Sequence, residues 1–259
     1  VTNGADFQYV LTYAIDNMTG NMEPGITRWS RDVYEKQLCS MMEKAGFPIF
    51  WYGSFKKYNA PESGFVPDTF DPRYSQGYAA AHNRLGLLIE THIYKPYKQR
   101  VRATIEAIEA SARILAAEKT SLQETLAAAD AYTSSEASRK EPFGFNYRST
   151  GDEMVMMDYL SWGRDTVKSD LSGGEWVTHD YTDSITLNIP VYTSFAATSS
   201  VKLPKAYILM PQWKNVIELL DLHGIRYSIL QEAGEVEVET YRYKGGKFSS
   251  RQSEGRIPV

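Results

Sequence analysis

A glutamate at the end of an apolar run is the residue in this sequence best placed for chemistry. Residues 87–89 are apolar and lead directly into Glu90, which is succeeded by Thr91 and His92. A short apolar run predicts a buried strand, and open α/β sheets place their ligands at the carboxyl ends of strands. Burial raises the pKa of a carboxyl group toward the range that a general base needs. The pattern fits a catalytic Glu90 and, equally, a glutamate that has just reached solvent.

Aromatic and basic residues surround Glu90 in the sequence. They are Arg73, Tyr74, Tyr78 and Arg84 upstream, and His92, Tyr94, Lys95, Tyr97 and Arg100 downstream. Arginine binds carboxylates through two parallel hydrogen bonds, and a tyrosine hydroxyl can donate to a substrate. We therefore expect Arg73, Tyr74 and Tyr78 to line a substrate pocket. Taken singly, each is more readily explained as a solvated charge or as a core tyrosine with a satisfied hydroxyl.

The other motifs of common active sites are missing. The four histidines form no pair at the spacing of a metal site, and neither an H-E-x-x-H nor an H-x-x-E motif occurs. A G-x-S-x-G nucleophile motif and a glycine-rich phosphate loop are also absent. The sequence alone thus lacks a complete active site of any common type.

Composition limits the classes of function. Hydrophobic residues make up 42% and charged residues 23%, as in ordinary globular proteins. The net charge of −4 gives no electrostatic reason to expect nucleic acid as a partner. The single cysteine, Cys39, excludes an internal disulfide framework, and no apolar run approaches the length of a membrane span.

The order of predicted elements indicates an α/β fold in two parts joined by a linker. The first part, 1–132, has strands predicted at 7–13, 49–52 and 85–90 and helices at 27–45, 75–83 and 94–131, with 53–73 irregular. The polar segment 133–142 is predicted to be a linker. The second part, 143–259, is β-rich, with strands predicted at 153–160, 163–168, 184–191, 201–203, 206–210, 227–230 and 236–243 and a helix at 213–223.

Three segments together resemble a known family. They are Arg73-Tyr74-Ser75-Gln76-Gly77-Tyr78, then Asn83-Arg84, and then Leu87-Leu88-Ile89-Glu90-Thr91-His92-Ile93-Tyr94-Lys95-Pro96-Tyr97 with Arg100-Val101. This pattern is similar to bacterial zinc carboxypeptidase-like proteins of the metallocarboxypeptidase family. The resemblance covers 1–118 and, more loosely, 143–259. It implies the second half of a mixed-sheet, three-layer catalytic domain, followed by a smaller β-rich α+β accessory domain.

The resemblance also implies a reaction. In that family the glutamate at the strand end is the general base and acid in peptide hydrolysis, a role that would fall on Glu90. Zinc, held by an H-x-x-E pair and a distant histidine, lowers the pKa of the bound water. The start Val1-Thr2-Asn3-Gly4 resembles the family's segment just after the third zinc ligand. We therefore expect a piece of a longer enzyme that binds zinc in its intact parent, while this chain alone binds none and is inactive.

Two alternatives remain open. The chain could be a peptide- or glycan-binding module that uses aromatic residues of its second part, namely Trp162, Trp176, Tyr181, Tyr192, Trp213, Tyr241 and Tyr243. It could also be a family member that never had the zinc site. Half of a sheet would leave an edge exposed, so the chain, if it is a piece of a longer enzyme, is expected either to form a homodimer through that edge or to need its missing half. Export to the periplasm or the medium is expected by analogy with the family.

Overall fold

The structure is a computed structural model that describes residues 6–232, 234–242, 244–252 and 255–257. The chain divides into two compact units, Val1–Lys205 and Ala206–Val259. It is a mixed α/β protein whose sheets combine parallel and antiparallel pairs, and its described strands form no closed barrel. Within the described residues, no helix is long and apolar enough to cross a membrane.

The first sheet has three short strands and is covered by helices. Strand β1 (Leu11–Ala14) lies in the middle, parallel to β2 (Ile49–Trp51) and antiparallel to β5 (Leu88–Thr91). The helices of this part are α1 (Pro24–Trp29), a π-helical segment (Ser30–Glu35), α2 (Lys36–Lys44), α3 (Ser75–Ala81), α4 (Tyr97–Ala117) and α5 (Lys119–Thr133). Glu23 caps the first of them by accepting from the amides of Gly25 and Ile26.

The second sheet joins both halves of the first unit. Its order is β3 (Gly53–Phe55), β4 (Phe65–Pro67), β8 (Glu175–Tyr192) and β7 (Met154–Lys168), and a 3₁₀ turn (Pro61–Ser63) precedes β4. A separate pair consists of β6 (Phe143–Ser149) and β9 (Phe195–Val201). Because β4 pairs with β8, the division between units does not coincide with the linker predicted at 133–142.

Two apolar clusters lie on the two faces of the first sheet. Leu11, Tyr13 and Ile89 pack against the helices in one cluster. Phe50 packs on the other face with Phe65 and Tyr159 of the second sheet. Since successive strand residues point to opposite faces, this alternation gives three layers: helices, the first sheet, and the second sheet.

The second unit contains one described helix, α6 (Lys214–Leu222), which buries none of its residues. The segments 206–210, 227–230 and 236–242 are not strands. Their apolar side chains, such as Ile208 and Val238, are exposed. A strand needs a neighbouring strand to satisfy its backbone hydrogen-bonding groups. The strand propensity of these residues does not by itself provide that neighbour. Tyr243 lies outside the described residues.

Candidate functional site

Glu90 lies on the face of the first sheet that is turned away from the helices. In the sheet register Thr12 is opposite both Phe50 and Glu90, so these three residues form a row across the strands. Directly opposite residues share a face, and Phe50 belongs to the cluster against the second sheet. The row Phe50–Thr12–Glu90 therefore faces the space between the two sheets.

That space contains a cavity of about 660 Å³. One wall comes from β1, β2 and the segment after it, and the other from the hairpin of β7 and β8. Its lining includes Asp6, Thr12, Tyr52, Gly53, Ser54, Phe55, Tyr58, His92, Tyr94, Trp176, His179 and Tyr181. This volume is within the range of small-molecule and peptide sites.

Glu90 stands behind the wall of this cavity. Its side chain is only 4% exposed and is absent from the lining, whereas its cross-strand neighbour Thr12 and nearby Tyr52 are part of it. Burial raises the pKa of Tyr52, and the charges of Asp68, Glu90 and Tyr74 raise it further. The charge of Glu90 therefore acts on a group that lines the cavity, although the carboxylate itself is covered.

The carboxylate of Asp6 is the centre of a polar cluster at the cavity. The Tyr181 hydroxyl donates to Asp6 Oδ2 at 2.8 Å, and His179 Nδ1 lies 3.6 Å from the same oxygen. His92 Nδ1 and Lys95 Nζ lie 3.8 Å and 3.7 Å from Asp6 Oδ1. The hydrogen bond to Asp6, more than burial, raises the pKa of Tyr181 to about 12, so Tyr181 stays a donor at neutral pH.

A β-bulge brings Tyr181 to Asp6. The register of the β7–β8 hairpin shifts between Trp162 and Gly163, which leaves residues 181–183 of β8 as an insertion. Bulges of this kind redirect a side chain, often beside functional sites. The Asp183 carboxylate folds over Gly163, where a Cβ would approach its Oδ2 to 2.2 Å. A glycine at position 163 thus gives the bulge its room.

His92 is neutral in this cluster at neutral pH. Burial lowers its pKa, and the attraction of Asp6 is opposed by the charges of Lys95 and His179. The Tyr94 backbone N–H donates to His92 Nδ1 at 3.3 Å, which leaves the ring proton on Nε2. Lys95 is also largely buried, and its ammonium donates to the Phe7 carbonyl; burial lowers its pKa as well.

Two buried polar atoms beside the cavity have no hydrogen-bond partner among the described residues. They are Thr12 Oγ1 and His179 Nε2. His179 Nδ1 is the ring nitrogen that faces Asp6, and Nε2 is on the other side of the ring. Buried polar groups are rarely left unsatisfied, and both residues line the cavity.

The three residues expected to bind substrate lie elsewhere. Arg73 and Tyr74 are exposed just before α3, Tyr78 is exposed in the middle of that helix, and all three are outside the cavity lining. The Arg73 guanidinium lies 4.8 Å from the centre of the Tyr74 ring, and the Tyr78 ring packs on His82. Tyr74 affects a cavity residue, because its charge raises the pKa of Tyr52.

The aromatic residues of the binding-module alternative are divided. Trp176 and Tyr181 line the cavity, and the Trp162 ring packs edge-on against Tyr181. Tyr192 lies under the Lys56 ammonium. Trp213 and Tyr241 belong to the second unit, where both are exposed.

The described residues do not form a zinc site. No group of three or more histidine, cysteine, aspartate or glutamate side chains within them has the arrangement to hold a metal ion. His92 and His179 lie near different oxygens of the Asp6 carboxylate, which also accepts a hydrogen bond from Tyr181 and lies beside Lys95. The chain matches no protein-family model, no curated protein and no solved structure.

Sequence reasoning missed the centre of this cluster. Asp6 comes after residues with no strand or helix pattern, and nothing in its local sequence marks it. His92 and His179 are far apart in the sequence, and only the packing of the hairpin against the first sheet brings them to one carboxylate. The sequence did mark the segment that contains His92 and Lys95, because it follows the predicted strand directly. The structure buries the Lys95 side chain of that segment beside Asp6.

Proposed function

We propose that this chain is part of a hydrolase of the zinc carboxypeptidase type, in which Glu90 is the general base and acid in the cleavage of peptide bonds. The observation that carries the proposal is the placement of Glu90 at the end of β5, on the sheet face turned toward the cavity. The carboxylate is covered, and its charge acts on Tyr52, which lines the cavity. The family pattern around Glu90 supplies the reaction.

The proposed fold is the second half of a three-layer, mixed-sheet catalytic domain. Helices on one face of a mixed sheet, with Glu90 ending one of its strands, are consistent with that architecture. Residues after 142 would form the accessory region. Zinc enters the proposal only through the sequence resemblance, because the described residues offer no site for it.

In the proposed step Glu90 handles one proton. Its carboxylate takes a proton from water as the water oxygen bonds to the scissile carbonyl carbon. The carboxylic acid then gives that proton to the amine nitrogen as the C–N bond breaks. Since Glu90 is covered, the side chains between it and the cavity must move aside when the peptide enters.

The test is the substitution Glu90→Gln in the natural full-length protein. We expect kcat for peptides with free carboxyl termini to fall by about 10²–10⁴-fold, the usual contribution of a general acid–base group, with little change in KM. Released residues are quantified by mass spectrometry. Glu109→Gln is the control, because Glu109 is an exposed carboxylate on α4 paired with Arg113. An E90Q protein as active as the wild type rules out the role of Glu90.

A second candidate is a binding module without catalysis. Exposed aromatic side chains around the cavity favour it, Tyr58 being 92% and Trp176 52% exposed. Tyrosine and tryptophan are enriched where proteins recognise ligands. The same assay separates the two candidates. A wild-type protein that binds peptides and releases no residue from them supports the module.

A further inference from the structure

We propose that the cavity binds a peptide in extended conformation, as an added strand on the free edge of β3. The proposal deepens the proposed function by naming how a peptide substrate is held. It rests on that function only for the expectation of a peptide ligand. Its test is a binding measurement, so the loss of one proposal does not remove the other.

Strand β3 has a free edge whose backbone groups can be identified from the register. It is the outer strand of the second sheet in the described chain, and it pairs with β4 on one side only. Lys56 N–H donates to the Gly64 carbonyl, and Asp68 N–H donates to the Tyr52 carbonyl. Hydrogen-bonded pairs alternate along an antiparallel ladder, so residues 52, 54 and 56 bond to β4.

The backbone groups of Gly53 and Phe55 therefore point away from β4. Gly53 is opposite Pro67, which has no N–H to offer it. The two residues present N–H and C=O groups about 7 Å apart along the free edge. A peptide strand repeats its own donors and acceptors at the same interval, and strand addition uses this match.

The cavity runs along this edge. All three residues of β3 line it. Because side chains of successive residues point to opposite faces of a strand, a cavity in contact with all three extends along the edge rather than over one face.

The rest of the lining suits a peptide of mixed sequence. Tyr58, Tyr94, Trp176 and Tyr181 offer flat apolar surfaces for alternate side chains. The negative charge of Asp6 is balanced by the adjacent Lys95, so the cavity has no strong preference for a charged ligand. A glycan would use the same aromatic surfaces, but it would gain nothing from a donor and acceptor repeat of two residues.

The experiment is a backbone N-methyl scan of a bound peptide. A library of capped hexapeptides of mixed sequence is screened against the E90Q form of the full chain, in which turnover is suppressed. The tightest binder is then methylated at one amide nitrogen at a time, and Kd is measured by calorimetry. Each methyl group removes a donor and leaves every side chain unchanged.

We expect the effect of methylation to alternate along the peptide. Methylation of the amides that face β3 should weaken binding about tenfold or more, and methylation of the amides between them should change Kd less than about threefold. Amide hydrogen exchange at Gly53 and Phe55 should slow when the peptide is bound. A uniform effect of methylation, unchanged exchange at both residues, or binding of cello- or chito-oligosaccharides without any hexapeptide would each overturn the proposal.

Discussion

At the scale of single residues, Asp6 is the shared neighbour of the polar side chains around the cavity. Its carboxylate accepts from Tyr181 and attracts two histidines and a lysine, none of which lies next to it in the sequence. Opposite charges nearby favour the charged form of a histidine, and burial disfavours it. For His92 burial is the larger effect, so its pKa is lowered from 6.5.

The lowered pKa of His92 makes stability depend on pH. In the unfolded chain His92 binds a proton near pH 6.5, whereas in the folded protein it does so only at a lower pH. The unfolded state therefore binds more protons in that interval, and stability falls as the pH is lowered from about 6.5 toward the folded pKa. Above pH 7 the neutral form is present in both states, and this contribution is fully retained.

The substitution His92→Asn tests this dependence. Asparagine keeps an acceptor for the Tyr94 N–H and removes the titrating group. We expect its free energy of unfolding to decline less than that of the wild type between pH 6.5 and 5, as measured by urea denaturation. His82→Asn, at the exposed end of α3, is the matched control. Equal pH slopes for the wild type and H92N would contradict the assignment of His92.

At the scale of elements, the strand that carries Glu90 could be predicted because its signal is local. Three apolar residues before a glutamate predict a strand at 85–90, and β5 is observed at Leu88–Thr91. The helix predicted at 27–45 is likewise present as continuous helical structure over residues 24–44, although Ser30–Glu35 is π-helical. Periodicity and chain breakers suffice for such elements.

The strands β3 and β4 could not be found in the same way. They lie within 53–73, which its prolines and glycines predict to be irregular, and each has only three residues. Both become strands because β8 arrives from more than a hundred residues later to pair with β4. A cavity lined by β3 was therefore outside the reach of local sequence patterns.

The buried face of α4 consists mostly of small side chains. The periodicity of Val101, Ile105, Ile108 and Leu115, with Ala112, indicates a core-facing stripe, yet Ile105 and Ile108 are about half exposed. The helix instead buries Ala103, Ala107, Ala110 and Ile114. Small side chains allow a helix to approach its neighbours closely, and this packing overrides the hydrophobic pattern.

Gly53→Ala tests how tightly β3 packs. Its Cβ would meet the Val66 carbonyl and the Pro67 Cα at 2.4 and 2.8 Å, both of them backbone atoms. We expect a loss of about 1–3 kcal/mol in the free energy of unfolding by urea denaturation, as for other overpacked sites. Gly174→Ala, whose nearest neighbour is the Ser172 hydroxyl at 3.4 Å, should change it by less than about 0.5 kcal/mol. Equal effects would show that β3 has room to adjust.

At the scale of the whole molecule, the two apolar clusters indicate which part of the chain we expect to fold by itself. Both clusters consist of residues between Phe7 and Val191. The second includes Tyr159, Ile189 and Val191, which belong to the hairpin of β7 and β8. The helix of the second unit buries none of its residues.

A homodimer through an exposed sheet edge stays a prediction.

Two truncations test this distribution. Ending the chain at Lys205 should shift the melting temperature by less than about 2 °C, because all of the clustered apolar residues remain and a shift of 2–4 °C corresponds to about 1 kcal/mol at this size. Ending it at residue 142, the far end of the linker predicted from sequence, should abolish cooperative unfolding. That cut removes the side chains on which Phe50 and Phe65 pack. Differential scanning calorimetry measures whether each truncated chain unfolds cooperatively. A cooperative transition in the 142-residue chain would contradict this expectation. It would mean that the first sheet folds without the hairpin of β7 and β8, and that the cavity lies between separable parts.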